Sequence, residues 1–298
     1  MVLVSAVITT HKRESEVVER ALTSILAQTY PNIEVFVIDD SPSDFAGREQ
    51  VKRIVEKYKD RNVTYIAHDT CRGACAARNT GLKVATGEFI AFLDDDDVWK
   101  PEKIEKQLLG FINDNVALVY CGHELYNVEQ NIYKTAKTVY EKGNIIEKLM
   151  YFNFIGSTSF PLLRKKHLDE IGGFDELLAS GQDYDVWVRL AQKYEVNYVE
   201  DVLVTYYVHG GDQITKNYKK RIDGQERLLS KNMDYLKKHK APYSTKLIKL
   251  ATEYAGYKQY KNAMKRWWKA TMLSPYKFKR NVRCLISVHR LYFKNIRK

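Results

Sequence analysis

The chain lacks several features that would restrict what it can be. Its 298 residues include only four cysteines and six prolines, and no run of about 18 apolar residues occurs. We therefore expect no segment that spans a bilayer by itself. No Cys-x-x-Cys pair and no spacing typical of a disulfide framework are present. A reducing cytoplasm is the simplest location for such a chain.

The first residues are also a poor match to a secretion signal. The apolar stretch at positions 1–8 has no basic leader and runs into His11-Lys12-Arg13. It is better interpreted as a buried first strand. The 45% apolar and 12% aromatic content is typical of a globular protein and excludes a disordered one.

Acidic residues become scarce in the last third of the chain. Residues 1–214 hold 24 Lys and Arg against 33 Asp and Glu, a net charge of −9. Residues 215–298 hold 24 Lys and Arg against only 4 Asp and Glu, a net charge of +20. So abrupt a change predicts two parts with different roles, a domain at 1–214 and a basic region at 215–298.

The first hundred residues alternate between apolar strands and helices. Strands are predicted at 5–10, 34–38, 63–68 and 88–93, and helices at 14–28, 51–58 and 74–85. This alternation predicts an α/β fold with a mostly parallel sheet covered on both faces. Farther on, helices are predicted at 102–113 and 182–193 and strands at 117–121 and 202–208, and beyond Thr215 only helices.

Two acidic clusters follow predicted strands. Asp39-Asp40 ends the second strand, and Asp94–Asp97 ends the fourth. Parallel strands present their carboxyl ends at one edge of a sheet, where ligands bind. Four adjacent carboxylates raise one another's pKa unless a positive charge compensates them, and Mg²⁺ or Mn²⁺ is the natural compensator. A solvated acidic turn is the alternative, but the buried strand before the cluster argues against it.

Seven sequence elements, taken together and in order, resemble the inverting glycosyltransferases of family 2. They are Val7-Ile8-Thr9-Thr10-His11-Lys12-Arg13, Ser24-Ile25-Leu26-Ala27-Gln28-Thr29-Tyr30, Val37-Ile38-Asp39-Asp40-Ser41, Gly73 with Ala77-Arg78-Asn79-Thr80-Gly81, the stretch from Phe92 to Pro101, the stretch from Ile171 to Glu176, and the stretch from Gln182 to Leu190. The resemblance covers roughly residues 3–210. It implies the Rossmann-like GT-A fold, a doubly wound mixed sheet, here followed by an all-helical basic extension.

The resemblance implies a nucleotide-sugar donor held by the first half of the chain. Thr9 and His11 would line the base, and Asp39 would accept the imide N–H of uracil, which points to a uridine diphosphate (UDP) sugar. Arg72 or Arg78 would face the base or the diphosphate. For Arg78 a structural salt bridge is the alternative.

The acidic cluster would hold the rest of the donor. By resemblance, Asp94 and Asp95 would contact the ribose and the sugar, and Asp96 would bind Mn²⁺ or Mg²⁺, which neutralises the departing diphosphate. His209 would complete the metal shell or touch the diphosphate. A loop residue without a ligand role is the alternative for His209.

Asp183 is the implied general base. Sugar transfer needs a group that takes the proton of the acceptor hydroxyl as it attacks the anomeric carbon, and direct displacement inverts that carbon. A helix N-terminus at this position favours the ionised carboxylate. The chain departs from the commoner family pattern in having Gln182 instead of Glu, and Asp183 could alternatively only cap the helix.

The last helix is predicted to be amphipathic and basic. An apolar arc formed by Val282, Leu285, Ile286, Val288, Tyr292, Phe293 and Ile296 opposes Lys279, Arg280, Arg283, Arg290, Lys294 and Arg297, with Cys284 and Leu291 as exceptions. Such a helix can lie on an anionic membrane surface. Packing of its apolar face on the rest of the chain is the alternative.

The favoured function is therefore an enzyme. We expect a metal-dependent hexosyltransferase that builds a cell-surface glycan on a glycan or lipid-linked acceptor, at the cytoplasmic side of a bacterial membrane. A nucleic-acid-binding protein is the rival class, because of the +20 region, but no recognition motif accompanies that charge. A nucleotidyltransferase is a third possibility, but the glycine-rich basic loop after the first strand is lacking. The sequence does not identify the sugar or the acceptor.

Overall fold

The computed structural model describes residues 1–209 and 217–296, and they form two units. The first comprises Met1–Leu149, Asn153–Glu176 and 183–209. The second comprises Met150–Phe152, Leu177–Gln182 and the described residues after position 216. The boundary predicted between 214 and 215 lies outside the described residues.

The first unit alternates strands and helices in its first half, as predicted, and is less regular afterwards. Its strands are β1 (Val4–Thr10), β2 (Ile33–Asp39), β3 (Val63–Ala67), β4 (Phe89–Asp94), β5 (Val98–Trp99), β6 (Val116–Asn127), β7 (Ile132–Thr135), β8 (Leu162–Arg164) and β9 (Glu195–Val208). Its helices are α1 (Ser15–Leu26), α2 (Arg48–Glu56), α3 (Ala74–Val84), α4 (Lys103–Leu108), α5 (Ile146–Leu149), α6 (Lys165–Glu170) and α7 (Gln182–Ala191).

One mixed sheet organises this unit. Its strand order is β3-β2-β1-β4-β8-β6-β9-β5, with β7 paired to β6. The four strands β3, β2, β1 and β4 run parallel, and β8 reverses direction between β4 and β6. Because β8 is antiparallel to both of its neighbours, β6 and its parallel partner β9 point the same way as β4. The predicted α/β class with a doubly wound mixed sheet is confirmed.

Strands β1, β2 and β4 are continuous apolar runs, as expected of strands whose two faces are both buried. Residues 4–8 of β1 are all buried, and helix α1 covers one face of the sheet with Val18, Leu22 and Ile25. Helix α3 packs on β1 so closely that a methyl group added at Gly81 would lie 2.3 Å from a side-chain carbon of Val7. This packing leaves the carboxyl ends of β1, β2 and β4 together at one edge.

The second unit is helical in its described part, as predicted. Its helices are α8 (Tyr218–Lys231), α9 (Met233–Lys238), α10 (Lys240–Gly256), α11 (Tyr260–Leu273) and α12 (Phe278–Ile296). A small core of Ala251, Ala255, Ala263, Cys284 and Val288 joins α10, α11 and α12. No helix among the described residues is long and apolar enough to cross a membrane.

Helix α12 is oriented differently from the prediction. Asn281, Cys284 and Val288 are buried and Leu291 packs against the core, whereas Ile286 of the predicted arc is 55% exposed. These four packed residues are spaced three or four positions apart and so form one face of the helix, as is usual where helices pack on each other. Small side chains on this face allow the helices to approach closely. The predicted centre of the arc is therefore wrong. The side chains of Tyr292, Lys294, Ile296 and Arg297 lie outside the described part.

Candidate active site

The candidate residues of the first half converge at the carboxyl edge of the parallel strands. Strand register places Thr9 of β1 beside Ile38 of β2 and Asp94 of β4, and Thr10 beside Asp39. This arrangement follows directly from three parallel strands that end at the same level. Residues distant in sequence thereby become neighbours.

Asp39 is fully buried at the end of β2. Its Oδ1 accepts a hydrogen bond from the backbone N–H of Ser41 (2.8 Å), and its Oδ2 accepts one from the hydroxyl of Tyr65 (2.7 Å). A nucleotide base would therefore have to share one of these oxygens. The uracil contact of Asp39 stays a prediction.

The neighbouring Asp40 shapes the loop before α3. Its Oδ1 and Oδ2 accept hydrogen bonds from the N–H groups of Arg72 and Gly73, each at 2.7 Å, and His68 Nδ1 lies 2.7 Å from Oδ1. Burial acts to raise the pKa of Asp40, but these donors outweigh it and the pKa is lowered. Gly73 has a φ of +92°, which glycine adopts without strain. Asp40 thus holds the loop as an anion.

His11 and Arg72 are exposed beside this loop. The ring of His11 donates from Nδ1 to the backbone carbonyl of Asp40 at 2.9 Å. The guanidinium of Arg72 lies 3.7 Å from the carboxylate of Glu176. Both side chains can reach a ligand at this edge, so their predicted roles toward base or diphosphate remain compatible with their positions.

Arg78 forms the salt bridge that was the alternative to a ligand role. Its Nη2 donates to Asp94 Oδ1 at 2.8 Å, and the hydroxyls of Ser157 and Thr158 donate to the same carboxylate at 3.0 and 3.1 Å. Burial would raise the pKa of Asp94, but the Arg78 charge and these hydrogen bonds lower it. Asp94 is therefore an anion fixed by three side chains.

Asp95 and Asp96 both contact the guanidinium of Arg13. Nη2 of Arg13 lies 2.8 Å from Asp95 Oδ1 and 3.1 Å from Asp96 Oδ2. Burial raises the pKa of Asp95 although the Arg13 charge opposes this. The Nε2 of His209 lies 2.9 Å from Asp96 Oδ2. The structure thus brings the two predicted metal ligands, Asp96 and His209, to one point.

Asp97 ties the cluster to strand β9. The hydroxyl of Ser159 donates to its Oδ2 at 2.6 Å, and the N–H of Tyr207 donates to its Oδ1 at 3.2 Å. Burial, followed by the charges of Asp94 and Asp96, raises the pKa of Asp97 well above its usual range. A carboxyl that resists ionisation is a poor metal ligand, so we assign Asp97 a structural role.

Asp183 stands at the start of α7. Its Oδ1 accepts from the N–H of Tyr184 at 2.7 Å, and its Oδ2 accepts from the side-chain amide of Asn153 at 3.1 Å. Burial raises the pKa of Asp183, with the Asp94 charge acting in the same direction and Arg78 opposing it. A raised pKa makes the carboxylate a stronger base.

A short segment, residues 153–157, links Asp183 to the acidic cluster. The side-chain amide of Asn153 donates to Asp183 Oδ2 at 3.1 Å and to the carbonyl of Gly156 at 3.2 Å, and the hydroxyl of Ser157 donates to Asp94 Oδ2 at 3.0 Å. Burial raises the pKa of the nearby Tyr206 phenol, and the negative charges of the aspartates raise it further. Asp183 and the cluster are therefore joined by hydrogen bonds through one segment.

Several site residues were not found from the sequence. Arg13, Asn153, the hydroxyls of residues 157–159 and Tyr206 all contact or surround the predicted aspartates. The only signal was the small polar run Gly156-Ser157-Thr158-Ser159 between two phenylalanines. Its partners lie more than sixty positions earlier, which no local pattern indicates.

One group of three potential ligands among the described residues and the predicted pair Asp96 and His209 are the two candidate metal sites. In the first, ligand atoms of His11, Asp40 and Cys71 lie within 4.8 Å of one another. This group fits poorly, because the Asp40 carboxylate already accepts several hydrogen bonds and burial raises the pKa of the Cys71 thiol. Asp96 and His209 offer one carboxylate and one imidazole nitrogen, a combination that suits Mn²⁺ better than Mg²⁺, and a bound ion would replace the contacts that Arg13 and His209 make with Asp96 Oδ2.

Comparison with known proteins identifies relatives of this chain. The family model for glycosyl transferase family 2 matches residues 5–172. The putative colanic acid biosynthesis glycosyl transferase WcaA of Escherichia coli K12 is 33% identical over 215 residues, which cover 67% of this chain and 71% of WcaA. The Escherichia coli enzyme WfaP, named as a UDP-Glc:α-D-GlcNAc-diphosphoundecaprenol β-1,3-glucosyltransferase, is 30% identical over 237 residues, covering 74% of this chain and 84% of WfaP.

A solved structure shares the fold. S. aureus TarS (residues 1–349), crystallised in complex with UDP-GlcNAc, superposes with a TM-score of 0.62 and 18% sequence identity. The match covers 91% of each chain. At this identity the likeness concerns the fold alone.

Proposed function

The chain belongs to glycosyl transferase family 2, and from this premise we propose that it transfers a hexose or N-acetylhexosamine from a UDP-sugar to a glycan or lipid-linked acceptor, with inversion and with the help of a divalent cation. Membership of this family establishes that the chain is a glycosyltransferase. The structural likeness to TarS establishes the GT-A fold. The donor, the acceptor and the metal are the proposed part.

The observation that carries the proposal is the hydrogen-bonded segment 153–157, which joins Asp183 to Asp94 of the acidic cluster. Inverting transfer needs a base on one side of the anomeric carbon and a charge-stabilising group at the leaving diphosphate on the other. Asp183 supplies a base whose pKa is raised by burial. Arg13 and His209 place cationic or cation-binding groups at Asp96.

Each residue has a defined task in the proposed reaction. The acceptor hydroxyl oxygen forms a bond to the anomeric carbon while its proton passes to Asp183. The bond from that carbon to the diphosphate oxygen breaks, and its electron pair leaves with UDP. Asp96 and His209 would hold Mn²⁺, which neutralises charge on the diphosphate when bound. Arg78 and Asn153 keep the two carboxylates Asp94 and Asp183 in place.

Similarity supports the choice of donor and acceptor class. WfaP is named for a UDP-glucose donor and a diphosphoundecaprenol-linked acceptor. The predicted Asp39 contact with uracil agrees with such a donor. A nucleotide-sugar and a lipid-linked acceptor would meet at the cytoplasmic face of a membrane, which is the location that we propose.

A donor panel tests the proposal. The purified chain is incubated with UDP-glucose, UDP-galactose, UDP-GlcNAc, UDP-GalNAc and, for comparison, GDP-mannose, each with Mn²⁺ and with chelator, and the released nucleoside diphosphate is measured. We expect release from one or two donors that depends on Mn²⁺ and increases with a diphosphoundecaprenol-linked glycan. Equal release with chelator would contradict the metal, and release only from guanosine-linked sugars would contradict the uridine donor.

A further inference from the structure

Four large apolar side chains are exposed within eleven residues of the helical unit. Trp268 is 61%, Met272 66%, Tyr276 71% and Phe278 70% exposed. Trp268 and Met272 lie four residues apart and so share one face of α11. Tyr276 and Phe278 lie in the turn to α12 and at its first residue. We call these four residues the aromatic turn surface.

The turn that presents them is ordered by buried polar contacts. Ser274 and Asn281 are buried, and the side-chain amide of Asn281 donates to the carbonyl of Ser274 at 3.1 Å. The indole of Trp267 donates to the carbonyl of Asn281 at 2.8 Å, so this tryptophan is tied inward while Trp268 is exposed. The aromatic turn surface is thus held outward by a built turn.

The charge around this surface has one sign. No aspartate or glutamate follows Glu253, whereas 13 lysines and arginines follow it. Lys265, Lys269 and Lys279 are exposed beside the four apolar residues in the sequence. Of the four acidic residues in the region, Glu226 pairs with Arg266, Glu253 with Arg221 and Asp223 with Lys219. Exposed positive charge therefore dominates next to exposed apolar surface.

We propose that the aromatic turn surface docks on an anionic lipid bilayer. Tryptophan and tyrosine favour the boundary between water and hydrocarbon, and neighbouring lysines attract anionic headgroups. A single weak apolar contact binds a membrane only marginally, but apolar insertion combined with a basic cluster gives stable attachment. The inference goes beyond the proposed function, on which it rests only for the lipid-linked acceptor that gives the docking its purpose.

The proposed site differs from the amphipathic α12 predicted from the sequence. The inner stripe of α12 is used for packing against α10 and α11. The exposed Ile286 and Phe293 extend the apolar area along α12, but the strongest interfacial side chains belong to the turn before it. Docking therefore centres on residues 268–278.

Vesicle flotation of the full chain tests the proposal. Vesicles of phosphatidylcholine alone are compared with vesicles that also contain phosphatidylglycerol. We expect binding to the anionic vesicles and little to the neutral ones. The double variant Trp268→Ser, Phe278→Ser should lower the partition coefficient by about tenfold or more, since it removes two inserted side chains. The matched control is Leu109→Ser, which removes a side chain that is 78% exposed in the other unit.

Charge is tested separately. Replacing Lys265, Lys269 and Lys279 with Gln should weaken binding to anionic vesicles and reduce its salt dependence, while replacing the exposed Lys57, Lys59 and Lys83 with Gln should not. No flotation of the wild-type chain, or equal flotation of the Trp268 and Phe278 double variant, would overturn the proposal. Conversion of a dimer to a monomer by that variant, with flotation unchanged, would assign the surface to a second copy instead.

Tryptophan fluorescence gives a readout that folding defects do not imitate. Trp99 and Trp187 are buried and Trp267 is half-buried with its indole bonded to Asn281, so Trp268 is the exposed reporter. Brominated anionic lipids should quench part of the emission of the wild-type chain but not of Trp268→Phe. UDP release from a water-soluble assay without vesicles should be unchanged in the surface variants. If neither the wild-type chain nor any variant released UDP, the proposed function would be contradicted, whereas the docking result would be unaffected.

Discussion

The two units of this chain use charge in opposite ways. In the first unit the carboxylates gather at one edge of the sheet, and each contacts a specific donor such as Arg13, Arg78, Ser159 or Asn153. In the helical unit basic side chains are spread over the surface, and almost no acidic residue balances them. Precise pairing is what a reaction site requires, whereas an excess of one charge at a surface favours attraction of an extended, oppositely charged partner.

The comparison predicts that the largest effect comes from one carboxylate of the first unit. Asp183→Asn keeps the size of the side chain but removes the base, so kcat should fall by about 10³-fold. Binding of the UDP-sugar, measured by calorimetry, should change little. The matched control Asp169→Asn alters a surface carboxylate paired with Lys165 and should leave kcat unchanged. A kcat near the wild-type value in Asp183→Asn would exclude this residue as the base.

The pH profile provides a second readout of Asp183. Burial raises its pKa above the usual value of about 3.9, and only the ionised form accepts a proton. The rate should therefore be constant above the raised pKa and fall about tenfold per pH unit below it. Because the folded pKa is raised, ionised Asp183 also costs stability at neutral pH, so Asp183→Asn should melt no lower than the wild type. A clearly lower melting temperature would instead indicate a structural helix cap.

Asp96→Asn should have the next largest effect. The substitution removes one of the two proposed metal ligands, so Mn²⁺ should bind about 100-fold more weakly. The electron paramagnetic resonance signal of free Mn²⁺ measures this change. Excess Mn²⁺ should restore part of the activity in Asp96→Asn but none in Asp183→Asn. His209→Gln should behave like Asp96→Asn in a milder form. Unchanged Mn²⁺ binding in both variants would move the metal site elsewhere.

Tyr206→Phe should have a moderate effect. Burial and the aspartate charges raise the pKa of its phenol, so the hydroxyl stays protonated and would be able to donate a hydrogen bond to a bound sugar. Its removal should lower kcat/KM by about tenfold without changing Mn²⁺ binding. Tyr198→Phe, in the same strand, is the matched control. An effect no greater than that of the control would limit Tyr206 to packing.

The smallest effect is expected in the helical unit and concerns stability. Val288→Ala removes a fully buried side chain from α12 and should lower the free energy of unfolding of this unit by about 2 kcal/mol. Ile286→Ala, on the exposed side of the same helix, should change it by less than about 0.5 kcal/mol. Circular dichroism during urea unfolding measures both. A larger loss of unfolding free energy in Ile286→Ala than in Val288→Ala would support the apolar arc predicted from the sequence.

The elements that could be predicted are those with a long local pattern. Strands β1, β2 and β4 are buried on both faces and read as continuous apolar runs, and α1 and α7 show clear helical spacing. Strands β5 and β8 have two and three residues, too few to show any periodicity. Helix α4 was predicted to reach position 113 but ends at Leu108, because Gly110 follows and the apolar Leu109 and Ile112 find nothing to pack on.

The candidate site also has a part that the sequence predicted and a part that it did not. The aspartates follow strands or begin a helix, so their order along the chain indicated a common edge. The side chains that hold them could not be found, because the aspartates that Arg13, Asn153 and Ser159 contact lie 30 or more positions away. For Arg78 the residue was found but its partner was not. Contacts of this kind depend on strand order and loop path.

By itself the amino-acid sequence determined the alternation of strands and helices, the edge at which the carboxylates gather and the division into an acidic and a basic part, because each depends on residue type and spacing along the chain. Tertiary structure alone decided which groups hold each carboxylate, which carboxylates gain or lose acidity, and which face of α12 is buried. The reason is that burial and Coulomb interactions depend on distance in space, and residues such as Arg13 and Asp95 become close only after the sheet has formed.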